Sequence, residues 1–202
     1  MTTVVALLLV VRVFDRSGAS LQDRQAALRA ANTILQQAEV TTRWVDCSNA
    51  GTPPAPDCGS PVGPGELLMR ITPGPPTPAG TQQQLGYSLI TPASACGDPG
   101  IGVLATVFSD RIIWLADLAG ERPSLLMGRA IAHEIGHLLL GTNEHSSAGL
   151  MRAVWTPADV WRHRREDWIF SAADAARLRN SRITDQDRRL ARGAGSNTRP
   201  SS

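Results

Sequence analysis

Lysine is missing altogether from these 202 residues, histidine occurs four times and cysteine three. With no lysine, all 20 basic residues are arginine, and 18 acidic residues interleave with them for a net charge of only +2. A nucleic-acid groove needs cations gathered on one face, so this balance argues for a compositional bias and against a nucleic-acid partner. Long apolar runs are also missing. The run from Val4 to Val11 has eight residues, far below the ~20 that cross a bilayer, so stable membrane insertion is not expected. The same run has no basic leader and no small-residue cleavage site, which makes it a poor signal peptide as written. Finally, Cys47, Cys58 and Cys96 do not form the CxxC pairs of a zinc ribbon.

What is present suits one globular domain. A hydrophobic share of 42% excludes a wholly disordered chain. The length allows one real core and not two large ones. Cys47 and Cys58 flank a Pro/Gly/Ser-rich loop. A disulfide across it would remove roughly 3 kcal/mol of loop entropy from the unfolded state; two unbonded loop thiols are the other reading. Cys96 is left over and can be a free thiol.

Periodicity orders the elements. Val11-Arg12-Val13-Phe14 alternates as the edge of a strand does, so the N-terminal run reads as a first β-strand, with 1–11 expected as the remnant of an export signal if the true start lies upstream. Ser20 and Asp23 stand at capping-box spacing and open a helix to about Glu39, with an apolar stripe of Leu21, Leu28 and Leu35 joined by Ala31 and Ala38. Val40 to Asp46, Glu66 to Thr72, Leu85 to Thr91 and Val103 to Leu115 read as strands. Pro- and Gly-rich loops cover 47–65 and 73–80, and Cys96 to Gly100 reads as a turn. A helix follows from about Arg122 to Leu140, with Pro123 in its first turn and Gly141 just past its end. Ser171 and Asp174 repeat the capping box before a short helix to about Arg179. Residues 181–202 are Arg, Asp, Ser and Gly with little apolar content, a disordered tail.

The chemistry gathers in one helix. In Ala132-His133-Glu134-Ile135-Gly136-His137 the two histidines stand at i and i+4, on one helical face about 6 Å apart along the axis. Both imidazoles can reach one ion at ~2.0–2.1 Å, while Glu134 sits beside the ion, placed to take a proton from a water. The alternative is a helix whose polar residues happen to lie near the surface, but Leu125, Leu126, Ile131, Ile135 and Leu138 to Leu140 make this helix otherwise apolar. A catalytic zinc normally has a third protein ligand. His145 follows Gly141 by four residues, and a left-handed Gly there can turn the chain back toward the metal. Gly136 costs roughly 1 kcal/mol of helix propensity, and its missing side chain would let another segment pass close beneath.

HEIGHLLLGTNEH, followed by Ser146 and Met151, resembles the metzincin zinc peptidases, and within them the matrixins. The longer stretch HEIGHLLLG-x-N-x-H-S resembles a divergent bacterial branch of that group. The resemblance implies an α+β, zincin-like (metzincin-like) catalytic domain over 1–180: a mixed twisted sheet packed against two long helices, one carrying HExxH. It implies one Zn2+ held by His133, His137 and His145, Glu134 as general base, and Met151 as the methionine of a turn under the metal. Gly141 and His145 stand eight and twelve residues after His133, where the family has seven and ten, and Asn143 takes the strict third position. The expected protein is a monomeric metalloendopeptidase acting on peptides or proteins, exported to the extracellular space or cell envelope, or else cytoplasmic.

Two alternatives differ in the remaining ligands. Glu166, beside Trp161, His163 and Trp168, would be the third ligand of a gluzincin-like enzyme, although that stretch also reads as a charged surface helix anchored by tryptophans. His163 would close a four-coordinate zinc in a non-catalytic binding domain. Trp155 and Trp161 are candidates for the pocket wall or for the core.

Overall fold

Alternation decides the first strand, since Leu9, Val11 and Val13 share one face of β1 (Leu8–Asp15) and are buried there. The computed structural model describes residues 8–48, 56–63, 65–76, 84–91 and 101–179. Residues 1–7, the turn at Cys96 to Gly100 and the Arg-rich tail lie outside these. The strands β1, β2 (Thr41–Asp46), β3 (Glu66–Thr72), β4 (Gly86–Thr91) and β5 (Ile101–Phe108) form one sheet in the order β2-β1-β3-β5-β4. All neighbours are parallel except β4, which runs antiparallel along the outside of β5.

The first strand expected here is an interior one, between β2 and β3. Its off-face cation, Arg12, is buried because the chain wraps it: the guanidinium donates to the carbonyls of Ser60 and Pro61 and pairs with Glu66. Ser60 and Pro61 follow Cys58, which a disulfide to Cys47 ties down, and Glu66 opens β3.

Two long helices, α1 (Leu21–Gln37) and α3 (Pro123–Leu140), cover the other face and pack on each other. Ser20 caps α1 by accepting from the Asp23 N–H, supplying one of the partners that a helix start lacks. The buried face of α1 is Ala27, Ala31, Ile34 and Leu35. Leu21 stays exposed and Leu28 half-buried, so the heptad leucines were only partly the stripe. Small alanines let the two helices approach.

One expected element changes identity midway. The strand read from Val103 to Leu115 ends at Phe108, and α2 (Ser109–Ala119) begins at once. Ile112, Leu115, Ala116 and Ala119 recur at helical spacing and are buried, so the 3.6 period wins over the β-branched composition of the window. α2 packs on α3 and on α4 (Pro157–Arg162). A last helix, α5, spans 172–179, opened by Ser171 accepting from the Asp174 N–H at 3.1 Å. The α+β layout, a mixed five-stranded sheet against two long helices, is the one expected. Among the described residues no helix is long and apolar enough to cross a membrane.

Candidate metal centre

α3 is the axis of the molecule, buried continuously from Leu126 to Leu138. Polar side chains in such a helix need partners. His133 Nδ1 lies 2.8 Å from the carbonyl oxygen of Leu150, and His137 Nδ1 lies 2.8 Å from that of Thr142. A carbonyl only accepts, so each Nδ1 carries the hydrogen and each Nε2 is left with a bare lone pair. The two Nε2 atoms face each other at 3.0 Å.

The ring of His145 completes the cluster, its centroid 5.5 Å from that of His133 and 4.8 Å from that of His137. One nitrogen from each of the three rings lies within 4.8 Å of the others. The return of the chain is built as the sequence suggested. Gly141 ends α3 in the left-handed conformation, φ +65°, with its N–H on the His137 carbonyl. The loop then reverses and Ser146 donates its N–H to the carbonyl of Met151 at 2.9 Å. Met151 is fully buried beneath the helix, and a Cβ on Gly136 would fall 2.7 Å from its sulfur and 2.7 Å from the Phe170 ring. Glycine is what lets this loop pass under the histidines.

These residues fit a zinc ion. Two lone pairs 3.0 Å apart repel unless a cation or proton lies between them. Two nitrogens bound at ~2.05 Å to one tetrahedral ion stand about 3.3 Å apart. A proton is disfavoured: burial, then the neighbouring His137, pushes His133 down to about 3. Burial likewise lowers His137 and His145. Neutral imidazoles are the metal-binding form. Three imidazole nitrogens suit zinc better than they suit calcium or magnesium, which prefer oxygen.

Glu134 is also buried, and burial pushes its carboxyl up to about 7 against an opposing hydrogen bond from Ser88. The Ser88 hydroxyl lies 2.8 Å from Glu134 Oε2 and 2.8 Å from the Glu134 carbonyl oxygen. The one hydroxyl hydrogen is shared between the two acceptors, which ties Oε2 to β4. A carboxyl poised near neutrality beside a cleft is the arrangement that proton transfer needs.

The cleft holds about 960 Å³ and runs from the strand β4 side, at Gln84 to Ser88, past His133, Glu134, His137 and His145 to the segment Arg152 to Pro157. Trp155 is one wall and stands edge-on to His133, 5.5 Å between centroids. Trp161 is 71% exposed and lines nothing there. Trp114 of α2 also lines the cleft, which the strand reading of its segment hid. Asn143 is on the lining, close to His145 in the chain.

The other sequence candidates fall elsewhere. Glu166 is exposed in a short 3-10 turn (Arg165–Trp168), not in a continuous surface helix. His163 caps α4 and lies 3.2 Å from Glu121. Among the described residues, the only gathered set able to hold a metal is His133, His137 and His145. Two positions went unnoticed as parts of the site. Ser88 holds Glu134, and Asp174, read only as a cap, accepts the Ser146 hydroxyl at 2.8 Å and so fastens the loop beside His145.

No protein-family model matches the chain, and no curated protein sequence matches it. Solved structures do. An archaemetzincin from Methanopyrus kandleri superposes with a TM-score of 0.53 at 14% identity, over 87% of this chain and 96% of that one. Metalloproteinase-II from Bacteroides fragilis superposes with a TM-score of 0.51 at 17% identity, over 87% of this chain and 53% of that one. At these identities the likeness establishes the metzincin-like fold.

Proposed function

We propose that this chain is a zinc-dependent peptidase of a divergent, matrixin-like bacterial branch, with one zinc held by His133, His137 and His145 and Glu134 as general base. The observation that carries the reading is the set of three imidazole nitrogens within 4.8 Å of one another, beside a buried carboxyl and an open cleft. Bound there, zinc supplies Lewis-acid polarisation to a carbonyl oxygen and to a water. The chain's own residues do the rest. Among the described residues β4 pairs with β5 alone, and Gly86 to Ser88 line the cleft, so an extended substrate can hydrogen-bond along that edge as an added strand. Ser88 holds Glu134 Oε2 in place, leaving Oε1 to take the proton of the attacking water and return it to the leaving amine. Trp155 closes the wall beside His133 and keeps bulk water from that side.

Residues 1–180 form the catalytic domain on this reading, working as a monomer on peptide or protein substrates. Export is supported by the Cys47–Cys58 disulfide, since such bonds persist in oxidising compartments. The test is a peptide-library digest with and without chelator, run beside elemental analysis. Cleavage should require the metal, and Glu134→Gln should retain zinc while losing at least ~10²-fold in rate. Freshly purified, chelator-free protein with no zinc would end the proposal.

A further inference from the structure

The surface of α2 that faces away from the core is not uniformly polar. Trp114 is 54% exposed and Leu118 56% exposed, and at i and i+4 they form one stripe. α4 lies alongside. Its first residue, Pro157, lines the cleft together with Trp114. At the other end, His163 contacts Glu121 just beyond the end of α2. α2 and α4 pack on each other, and the His163–Glu121 contact ties the end of α4 that carries Trp161, 71% exposed, to the end of α2 that carries Leu118. Two indoles and a leucine are thus exposed on this packed helix pair, and together they present a strip of roughly 400 Å² at 150–250 Å² for each fully exposed aromatic.

We infer that this strip is a docking extension of the cleft, taking a bulky apolar stretch of the same polypeptide whose scissile bond lies at the histidine cluster. The inference rests on the peptidase reading above. Continuity is the main argument, because Trp114 belongs to both surfaces: it lines the cleft and begins the strip. A chain leaving the cleft at Trp114 meets Leu118 and Trp161 next. Area is the second argument. A stable dimer buries about 800 Å² per partner, about twice what the strip offers, whereas a few apolar side chains of an unfolded segment match it. The structure thus points to unfolded or extended polypeptides longer than the cleft, with large apolar residues on one side of the cut.

The test compares two substrates. One is a short fluorogenic peptide found in the library digest, long enough only for the cleft. The other is dephosphorylated β-casein, unfolded and free of phosphates that would bind arginine. Leu118 and Trp161 do not line the cleft and are exposed, so the double variant Leu118→Ser/Trp161→Ala should fold and keep its zinc. It should lose about tenfold in kcat/KM on casein, carried by KM, while its peptide kinetics stay within about twofold. Unchanged casein kinetics, or an equal loss on both substrates, would overturn the inference. So would concentration-dependent dimers of the wild type that the variant abolishes, or wild-type sedimentation with anionic phospholipid vesicles that the variant loses. If the wild type cleaves neither substrate, the peptidase reading fails by itself. Casein binding, followed by tryptophan fluorescence, then decides the strip separately: tighter binding by wild type than by the variant sustains it, and equal binding ends it.

Discussion

Removing the charge at Glu134 should change the stability of the metal-free protein in a pH-dependent way. Glu134 is 6% exposed, and its carboxyl is pushed up to about 7 from an ordinary 4.5. In the unfolded chain it returns to the ordinary value. Between those pH values the native state therefore holds a proton that the unfolded state has released. The stabilisation is complete below pH 4.5 and is lost as pH rises through about 7. At 1.36 kcal/mol per unit, the loss is about 3 kcal/mol. The imidazoles act oppositely. His133 is held at about 3 against 6.5, so its contribution is present above pH 6.5 and lost as pH falls. In the wild type the two effects oppose each other between 4.5 and 6.5, and the net curve hides both.

Glu134→Gln separates them, because glutamine keeps the shape and cannot ionise. Urea unfolding of both proteins in chelator, from pH 4.5 to 8, should give nearly equal stabilities at the acid end. At pH 8 the variant should be more stable by about 3 kcal/mol. A difference that stays constant across that range would refute the reasoning, since Glu134 would then be ionised in the native protein throughout. Opposite curvature, with the variant gaining toward acid, would place the carboxyl below its ordinary value.

Three further outcomes follow from the same geometry. His145→Ala should lose zinc and activity together, read by elemental analysis and peptide hydrolysis, while Glu144→Ala and Glu166→Ala keep both; zinc lost on Glu166→Ala and kept on His145→Ala would favour the gluzincin-like arrangement. Gly136→Ala gains about 1 kcal/mol of helix propensity but sets a methyl 2.7 Å from both the Met151 sulfur and the Phe170 ring, each buried. Overpacking of this kind costs about 1–3 kcal/mol per site, so thermal denaturation should show a lower Tm, and a raised Tm would mean that the loop is not wedged under the helix. Ser88→Ala removes the one hydrogen bond that lowers the Glu134 carboxyl, so the acid limb of the pH–rate profile should move to higher pH; an unmoved limb would dissociate Glu134 from that limb.

The parts of this molecule that were legible in its sequence share a physical property: their partners are near in the chain. The i, i+4 spacing of the histidines, Pro123 at the start of α3, Gly141 at its end and the Ser171–Asp174 cap are all set within one or two turns. β3, read as Glu66 to Thr72, has those bounds in the structure. The misreadings are of another kind. Arg12 carries no local sign of its burial, because the carbonyls that cover it are 48 and 49 residues away. Ser88 meets Glu134 across 46 residues, and Asp174 reaches Ser146 across 28. Such pairs leave no period for a pattern to register. α2 failed differently, since Val107, Ile112 and Ile113 favour a strand by composition while burial of Ile112, Leu115, Ala116 and Ala119 against α3 and α4 decides for a helix.

That division follows the assembly of the site. The helix supplies two imidazoles and the carboxyl by local geometry alone, so any sequence with that spacing presents them. What turns them into a centre is mostly non-local: Leu150 orients the His133 ring, Asp174 fastens the returning loop, and Ser88 restrains the carboxyl, while only the His137 ring finds its partner close by, at Thr142. Gly136 joins the two levels. It weakens α3 where helix propensity would ask for alanine, and the space it leaves is filled by Met151, the residue that carries the loop back beneath the histidines. A local preference is given up at the one point where the long-range architecture needs the room, and that conflict was visible in the sequence before any contact was known.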